Sequence, residues 1–349
     1  MNARITRRAL LLSALPAAAQ AQGFAGLGRG AGDFAVPRPG TAFAFPRDHG
    51  PHPDFRIEWW YLTANLEMPD GTPCGIQWTL FRSALSTADY AGWATPQAWL
   101  GHAAITTPET HLDAERLARG GIGQAGVEVA PFDAWIDDWR MWGPSLSDVR
   151  LKAAADRFAY DLALETDKPF VPQGEGGYSV KSAAGQASHY YSQPFYAARG
   201  TLTLDGAEIP VTGRAWLDRE WSSTPLAETQ TGWDWFSLHL AGGEKLMGFR
   251  LRDRAGAPFT SATWIAPDGT PMPYGDGAFS AEPLATARVA GRDIPTTWRV
   301  RLPDRDLDAE VRALNEAAWM DLGFAYWEGP VTLSGSHAGT GYLEMTGYE

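Results

Sequence analysis

The chain has 349 residues, 44% apolar, 12% aromatic and 20% charged, with 38 Gly, 25 Pro and 16 Trp, a globular composition that excludes collagen-like and low-complexity chain. The length allows two domains or one large one, and either buries a substantial core. A formal charge of −12 with no basic stripe repels phosphate and anionic headgroups, which excludes nucleic acid as a partner.

The first element is a targeting signal. Thr6-Arg7-Arg8 precedes the apolar run Ala9-Leu10-Leu11-Leu12, and Ala19-Gln20-Ala21 fits an A-x-A cleavage site before Gln22. This is the pattern of a twin-arginine export signal over residues 1–21, so the mature protein is expected in the periplasm or outside the cell. No later stretch holds about 18 consecutive apolar residues, so no transmembrane helix is expected. Cys74 is the single cysteine, so no internal disulfide can form and no disulfide-linked partner is expected. It lies in Gly71-Thr72-Pro73-Cys74-Gly75, a predicted turn, and reads as an incidental thiol rather than a nucleophile.

Residues 22–45 are rich in Gly, Ala and Pro and read as a linker. From residue 46 the period is two. Trp60, Leu62 and Ala64 alternate with Tyr61, Thr63 and Asn65, Met68-Pro69-Asp70-Gly71 turns the chain, and Ile76, Trp78 and Leu80 alternate again, which predicts a β-hairpin. The same signature recurs over residues 158–164 and 307–311. Only Leu112 to Arg119 is predicted helical. Glu58-Trp59-Trp60-Tyr61-Leu62 with Trp78-Thr79-Leu80-Phe81-Arg82 resembles Trp233-Asp234-Trp235-Phe236-Ser237-Leu238 with Met247-Gly248-Phe249-Arg250. The two halves also end alike, at Gly213-Arg214-Ala215-Trp216-Leu217 and Gly341-Tyr342-Leu343-Glu344-Met345. The expectation is an all-β chain of two copies of one antiparallel unit, 46–224 and 225–349.

Candidate chemistry lies in acids and histidines set among tryptophans. In the segment from Asp48 to Tyr61, Glu58 and Trp60 share one strand face, Trp59 and Tyr61 the other. A carboxyl against indole faces loses hydration, so its pKa rises and it can act as an acid; the other reading makes Glu58 half of a structural ion pair. His49 and His52 sit in a Gly/Pro turn with no ligand spacing that completes a metal site, so no metal is expected. Downstream, Trp216, Asp218 and Glu220 project together from one extended segment. Two close carboxyls cannot both ionise cheaply, which makes one a proton donor and the other a base; the alternatives are a solvated face or an Asp-Arg-Glu ionic network joining the halves. Trp233-Asp234-Trp235 adds a third acid between indoles. No nucleophile elbow, P-loop or dinucleotide fingerprint occurs in a strand-to-helix setting, so no cofactor is expected. His102 and His239 read as core histidines.

Asp48-His49-Gly50-Pro51-His52-Pro53-Asp54-Phe55, Glu58-Trp59-Trp60-Tyr61, Tyr190-Tyr191-Ser192, Asp218-Arg219-Glu220-Trp221, Asp234-Trp235-Phe236-Ser237-Leu238, Tyr326-Trp327-Glu328-Gly329 and Gly341-Tyr342-Leu343-Glu344-Met345-Thr346-Gly347-Tyr348 resemble, in order, the AttH/CrtC family. That family includes carotenoid 1,2-hydratase and many secreted proteins called lipocalin-like or predicted hydrolases. The resemblance runs from about residue 46 to the end and implies two tandem lipocalin-like β-barrels. It further implies a Trp- and Tyr-lined cavity for a hydrophobic, isoprenoid-like or lipid ligand and addition of water to an isolated C=C bond. On that reading Asp218 or Asp234 is the acid, and Glu220, Glu58 or His49 orients the water. Trp60, Trp221, Trp233 and Trp235 form the cation-stabilising wall, with Tyr61, Tyr191 and Trp327 as further ligand contacts. A non-catalytic carrier, an extracytoplasmic partner of an ABC exporter and a secreted hydrolase are the other readings. Arg219 departs from the family, which usually has histidine there; arginine stays charged, cannot relay protons, and is expected to hold neighbouring carboxyls ionised.

Overall fold

The computed structural model describes residues 30–88 and 90–348; the expected export signal and the start of the linker lie outside them. A first sheet is built from β1 (Ile57–Glu67), β2 (Pro73–Ala84), β3 (Gln97–Thr106), β4 (His111–Arg119), β5 (Ala125–Val129), β6 (Phe132–Ile136), β7 (Trp139–Ser145), β8 (Asp148–Ala154), β9 (Phe158–Glu165), β10 (Val171–Pro172), β11 (Tyr178–Val180), β12 (Ala187–Leu204) and β13 (Ala207–Thr224). A second contains β14 (Gln230–Leu240), β15 (Lys245–Asp253), β16 (Phe259–Ile265), β17 (Pro271–Tyr274), β18 (Ser280–Val289), β19 (Arg292–Leu302), β20 (Leu307–Ala313), β21 (Trp319–Met320), β22 (Tyr326–Gly335) and β23 (Gly339–Met345).

The strand orders are β4-β3-β2-β1-β13-β12-β9-β8-β7-β6-β5 and β17-β16-β15-β14-β23-β22-β20-β19-β18. Every pairing is antiparallel, and the β1/β2 and β14/β15 hairpins hold equivalent places, each flanked on the other side by the last strand of its sheet. One sheet curls into a nearly closed barrel and the other into a half-barrel, the lipocalin-like tandem arrangement. The segment Leu112 to Arg119, expected to be helical, is strand β4, paired residue for residue with β3. Its Ala, Glu, Leu and Arg favour helix only weakly, and the ladder outweighs that preference. Cys74 lies inside β2 rather than in the turn, and burial pushes its thiol up to about 12.

Alternation decides what each strand buries. On β9, Phe158, Tyr160, Leu162 and Leu164 point inward and the residues between them point out. The interior of the first unit is filled by Trp60, Leu62, Trp78, Trp139 and Leu151, and that of the second by Phe236, Leu238, Trp298, Trp327 and Leu343. A third cluster, including Tyr61, Tyr190, Trp216, Trp235, Phe249 and Tyr342, lies between the two. Small barrels close over side chains in this way and leave no lumen. Gly75 on β2 permits the close approach of the halves: a Cβ there would stand 2.7 Å from the Tyr342 hydroxyl and 3.0 Å from Pro330.

A buried ionic network ties β1, β2 and β13 to the turn before them. The Glu58 carboxylate bonds to both Arg82 and Arg219 and accepts the His52 amide at 2.9 Å. Arg219 stacks 3.8 Å above the Trp60 ring, Arg82 donates to the Phe55 carbonyl at 2.7 Å, and His52 stacks on Trp221 at 3.9 Å. Burial pushes the Glu58 carboxyl up, but Arg219 and Arg82 outweigh it and hold it well below the ordinary range. His49 bonds to the Tyr191 hydroxyl at 2.7 Å, and Phe43 and Phe45, at the end of the segment read as linker, pack on Trp221 and His49. Glu58 is thus a structural ion pair, and the Glu58→Gln substitution strands two buried guanidinium groups. It is expected to cost about 3–5 kcal/mol, measured as a lower midpoint in urea denaturation.

Candidate active site between the two barrels

The inner faces of the two sheets carry the two hydrophobic cores, and the outer faces meet each other. A cavity of about 340 Å³ lies there. Its walls come from alternate residues of facing strands: Trp59 and Tyr61 on β1, Phe81 on β2, Asp218 and Glu220 on β13, Trp233 and Trp235 on β14, Phe249 and Leu251 on β15, and Glu344 on β23, with Lys181, Tyr190, Phe324 and Tyr326 completing them. Tyr61, Asp218, Glu220, Trp233 and Trp235 are the sequence-derived candidates that this parity brings together.

The other candidates face away. Glu58, Trp60 and Trp221, with His49 and Tyr191, belong to the network on the opposite side of β1 and β13, because they have the other strand parity or contact it. Asp234 points into the second unit, where it pairs with Arg252 and, at 2.8 Å, with Arg250, and accepts from the Tyr348 hydroxyl at 2.9 Å. Trp327 is part of the second unit's core. Arg219 does hold a neighbouring carboxylate ionised, but that neighbour is Glu58; Asp218, one residue away, projects from the other face.

Three donors converge on Asp218: Ser192 Oγ at 2.5 Å, Tyr190 OH at 2.6 Å and Trp216 Nε1 at 2.6 Å. Trp235 Nε1 donates to the Tyr190 hydroxyl at 3.2 Å, which fixes that ring. Burial and the nearby Glu220 outweigh the donors and raise Asp218 to about 7. Glu344 accepts a bond of 2.5 Å from Trp233 Nε1, and burial, with Asp218 and Glu220 adding repulsion, also raises it to about 7. Glu220 forms an ion pair of 2.9 Å with Lys181, whose ammonium lies 4.4 Å from the Phe249 ring centroid. Behind the wall, Tyr61 OH donates to Glu328 at 2.5 Å; burial first and Glu344 second push Glu328 well above the ordinary carboxylate range. The site therefore offers two carboxyls near half protonation at neutral pH, one ion pair and an aromatic enclosure.

Glu344, Glu328, Trp59 and Tyr190 were not singled out by sequence reasoning, although a signal existed. Glu344 is the direct cross-strand partner of Trp235 and shares its parity with Tyr342. Lys181 follows the short strand β11 and carried no pattern at all.

The raised carboxyls bind protons more readily in the folded than in the unfolded chain. Their contribution to stability is present in full below the ordinary carboxylate range and is lost as pH rises through about 7. The Asp218→Asn, Glu344→Gln double variant is expected to lose that part of the decline, measured as a flatter dependence of the urea midpoint on pH between about 4 and 7.

No curated protein matches the sequence significantly. Among solved structures, a candidate AttH from Nitrosomonas europaea is 35% identical with a TM-score of 0.81, covering 90% of this chain and 100% of that one. Kievitone hydratase from Nectria haematococca shares the fold at 16% identity and a TM-score of 0.70, covering 90% and 96%. CghA with Sch210972 does so at 16% identity and 0.54, covering 92% and 98%. Residues 36–348 match the AttH-like family, and the chain belongs to that family.

Proposed function

We propose that the protein adds water to a C=C bond of a compact hydrophobic ligand held between its two barrels. The observation that carries this reading is the pair of buried carboxyls, Asp218 and Glu344, both raised to about 7 and both facing an aromatic-walled cavity. A carboxyl of that kind is partly protonated near neutral pH and can both give and take a proton there. The cavity volume of about 340 Å³ stands at the low end of small-molecule pockets, which run from about 300 to 1,000 Å³, and favours a ligand far smaller than a full carotenoid. Kievitone hydratase, of the same fold, is named for a hydration and lends the reading further support.

The hydrogen bonds divide the roles. Asp218 already accepts three donors, a setting that serves a carboxylate, so it is the base. Glu344 accepts a single short hydrogen bond, from Trp233 Nε1, so its ionised form is less well satisfied than that of Asp218 and it is the acid. Glu344 passes its proton to one alkene carbon, whose π electrons form the new C–H bond. The cation left on the second carbon faces the indoles of Trp59, Trp233 and Trp235. Water, held by the Glu220–Lys181 pair, forms the C–O bond and gives its proton to Asp218. In the cell this would take place after export, as the paired Arg7 and Arg8 suggest.

The test is incubation of the purified mature protein in heavy-oxygen water with compact prenylated and aryl-substituted alkenes and a mixed lipid and polyprenoid extract, followed by mass spectrometry. Label is expected as an added hydroxyl in an intact product, with turnover passing through a maximum near pH 7, because Glu344 must be protonated and Asp218 ionised, and about 10²–10⁴-fold lower in Glu344→Gln. Label in a cleaved acid would overturn the reading in favour of hydrolysis. An unlabelled ligand retained by the protein would overturn it in favour of a carrier, a role the apolar walls also suit.

A further inference from the structure

The cavity wall reaches the surface at Phe81, Ser83 and Leu100, which line it and are only half-buried. From there an apolar row runs outward across three strands. Phe81 on β2 pairs with Leu100 on β3, and Leu100 with Leu117 on β4, so all three project from one face of the sheet. β4 is the edge of that sheet, and Leu117 is 69% exposed. One step along the strands stand Ser83, Ala98 and Arg119. Beyond them the chain leaves β2 at Leu85 and returns to β3 through a short 3₁₀ turn, Gly92–Ala94. Leu85, Tyr90 and Trp93 on this loop are 72%, 60% and 73% exposed. With Leu117 they are most of the large apolar side chains that the described residues leave in water. The base of the loop is tied down. Leu85 donates its amide to the Pro96 carbonyl at 2.9 Å, and Arg119 donates to the Thr95 carbonyl at 3.2 Å. The turn after β4 rests on the 3₁₀ turn so closely that a Cβ on Gly121 would stand 2.7 Å from the Gly92 carbonyl oxygen.

We propose that this tip docks on the surface of a zwitterionic lipid bilayer, and that the ligand passes between bilayer and cavity along the row Leu117, Leu100, Phe81. The inference rests on the reading of the cavity as a site for a hydrophobic ligand, not on the chemistry done there. Exposed apolar side chains gathered at one place mark an interaction surface, and charge selects the partner. Residues 84–104 hold one formally charged residue, Asp89, in a chain that is 20% charged, and Arg119 at the base of the loop offsets it. The tip is therefore close to neutral although the whole chain carries −12. It meets an uncharged lipid surface without the repulsion that the protein would meet at an anionic one. Trp93 and Tyr90 each combine an apolar ring with one polar group, the kind of side chain that settles at the headgroup level of a membrane. These groups stand from a loop and an edge strand, so they offer a protein partner no pocket to fill, whereas a bilayer yields around them. Continuity with the cavity wall gives the contact its use: a ligand leaving the bilayer at Leu117 stays on apolar surface until it is enclosed.

The test is flotation of the mature protein with vesicles of phosphatidylcholine and phosphatidylethanolamine. The wild type is expected to float with them. Binding is expected to be about 10-fold weaker in Trp93→Ser and at least roughly 100-fold weaker when Leu85→Ser, Trp93→Ser and Leu117→Ser are combined. None of the three lines the cavity, and all are exposed, so the urea midpoint is expected to stay unchanged. Replacing about a fifth of the lipid by phosphatidylglycerol is expected to weaken binding, and more so at low salt. Binding of the combined variant at wild-type strength would overturn the proposal. So would wild-type protein that does not float, and if it self-associates through the same three residues the tip belongs to a second copy of the chain. Failure to hydrate any alkene, with flotation as expected, would instead overturn only the proposed reaction.

Discussion

The strands that meet at the junction bury both of their faces, and the rest of the structure depends on that constraint. On β1, Trp60 and Leu62 fill the first barrel while Trp59 and Tyr61 face the second unit. On β14, Phe236 and Leu238 fill the second unit while Trp233 and Trp235 face the first. An outer sheet face of indole and phenol rings exposed to water would be a patch of the kind that drives association. Covering each with the other satisfies both. Aromatic rings pack at large centroid spacings and do not fill every gap, so the same contact leaves the cavity.

One sheet also separates two opposite electrostatic environments. Glu58 and Asp218 are both buried carboxyls, held on neighbouring strands that pair along β1 and β13. Glu58 meets two guanidinium groups and is driven down; Asp218 meets three neutral donors and another acid, and is driven up. The difference is the direction of one Cβ. A charge with paired arginines is cheap to keep ionised and poor at proton transfer, whereas a carboxyl with neutral donors and apolar walls can exist in both states near neutrality.

That division explains what the sequence disclosed. Period-two alternation in residues 60–65 and 76–80 was enough to reveal the β class, and the likeness of the two hairpins revealed the duplication, because both signals are local. The face on which Asp218, Glu220 and Trp216 project was legible for the same reason. Which face is the barrel interior was not, since both are apolar and aromatic, and so Trp60 and Trp221 were assigned to a wall, and Trp327 to a ligand contact, in a cavity that they do not line. Glu58 is held ionised by Arg219 and Arg82, whereas Asp234, raised by burial despite its pairing with Arg252 and Arg250, lies on the second unit's side of β14 rather than at the cavity; those arginines are distant in sequence or on another strand. Glu344 and Lys181 needed the cross-strand register and the loop after β11, which no short-range pattern encodes.

Arg219 stands where the sequence resemblance leads to an expectation of histidine, and its surroundings lie on the side of β13 away from the cavity. Its guanidinium bonds to Glu58 and to the Gly50 carbonyl and stacks on Trp60, all on the side of β13 away from the cavity. Arginine supplies there a planar, permanently charged fork that bridges a carboxylate, a carbonyl and an indole, a task for which a proton-exchanging imidazole is no better suited. Asp218 is insulated from it by the sheet itself, and the groups that set its proton affinity are burial, Ser192, Tyr190, Trp216 and Glu220. The position therefore fixes the turn carrying His49 and His52 against β1 and β13, and by holding β13 in register it aims Asp218 and Glu220 at the cavity.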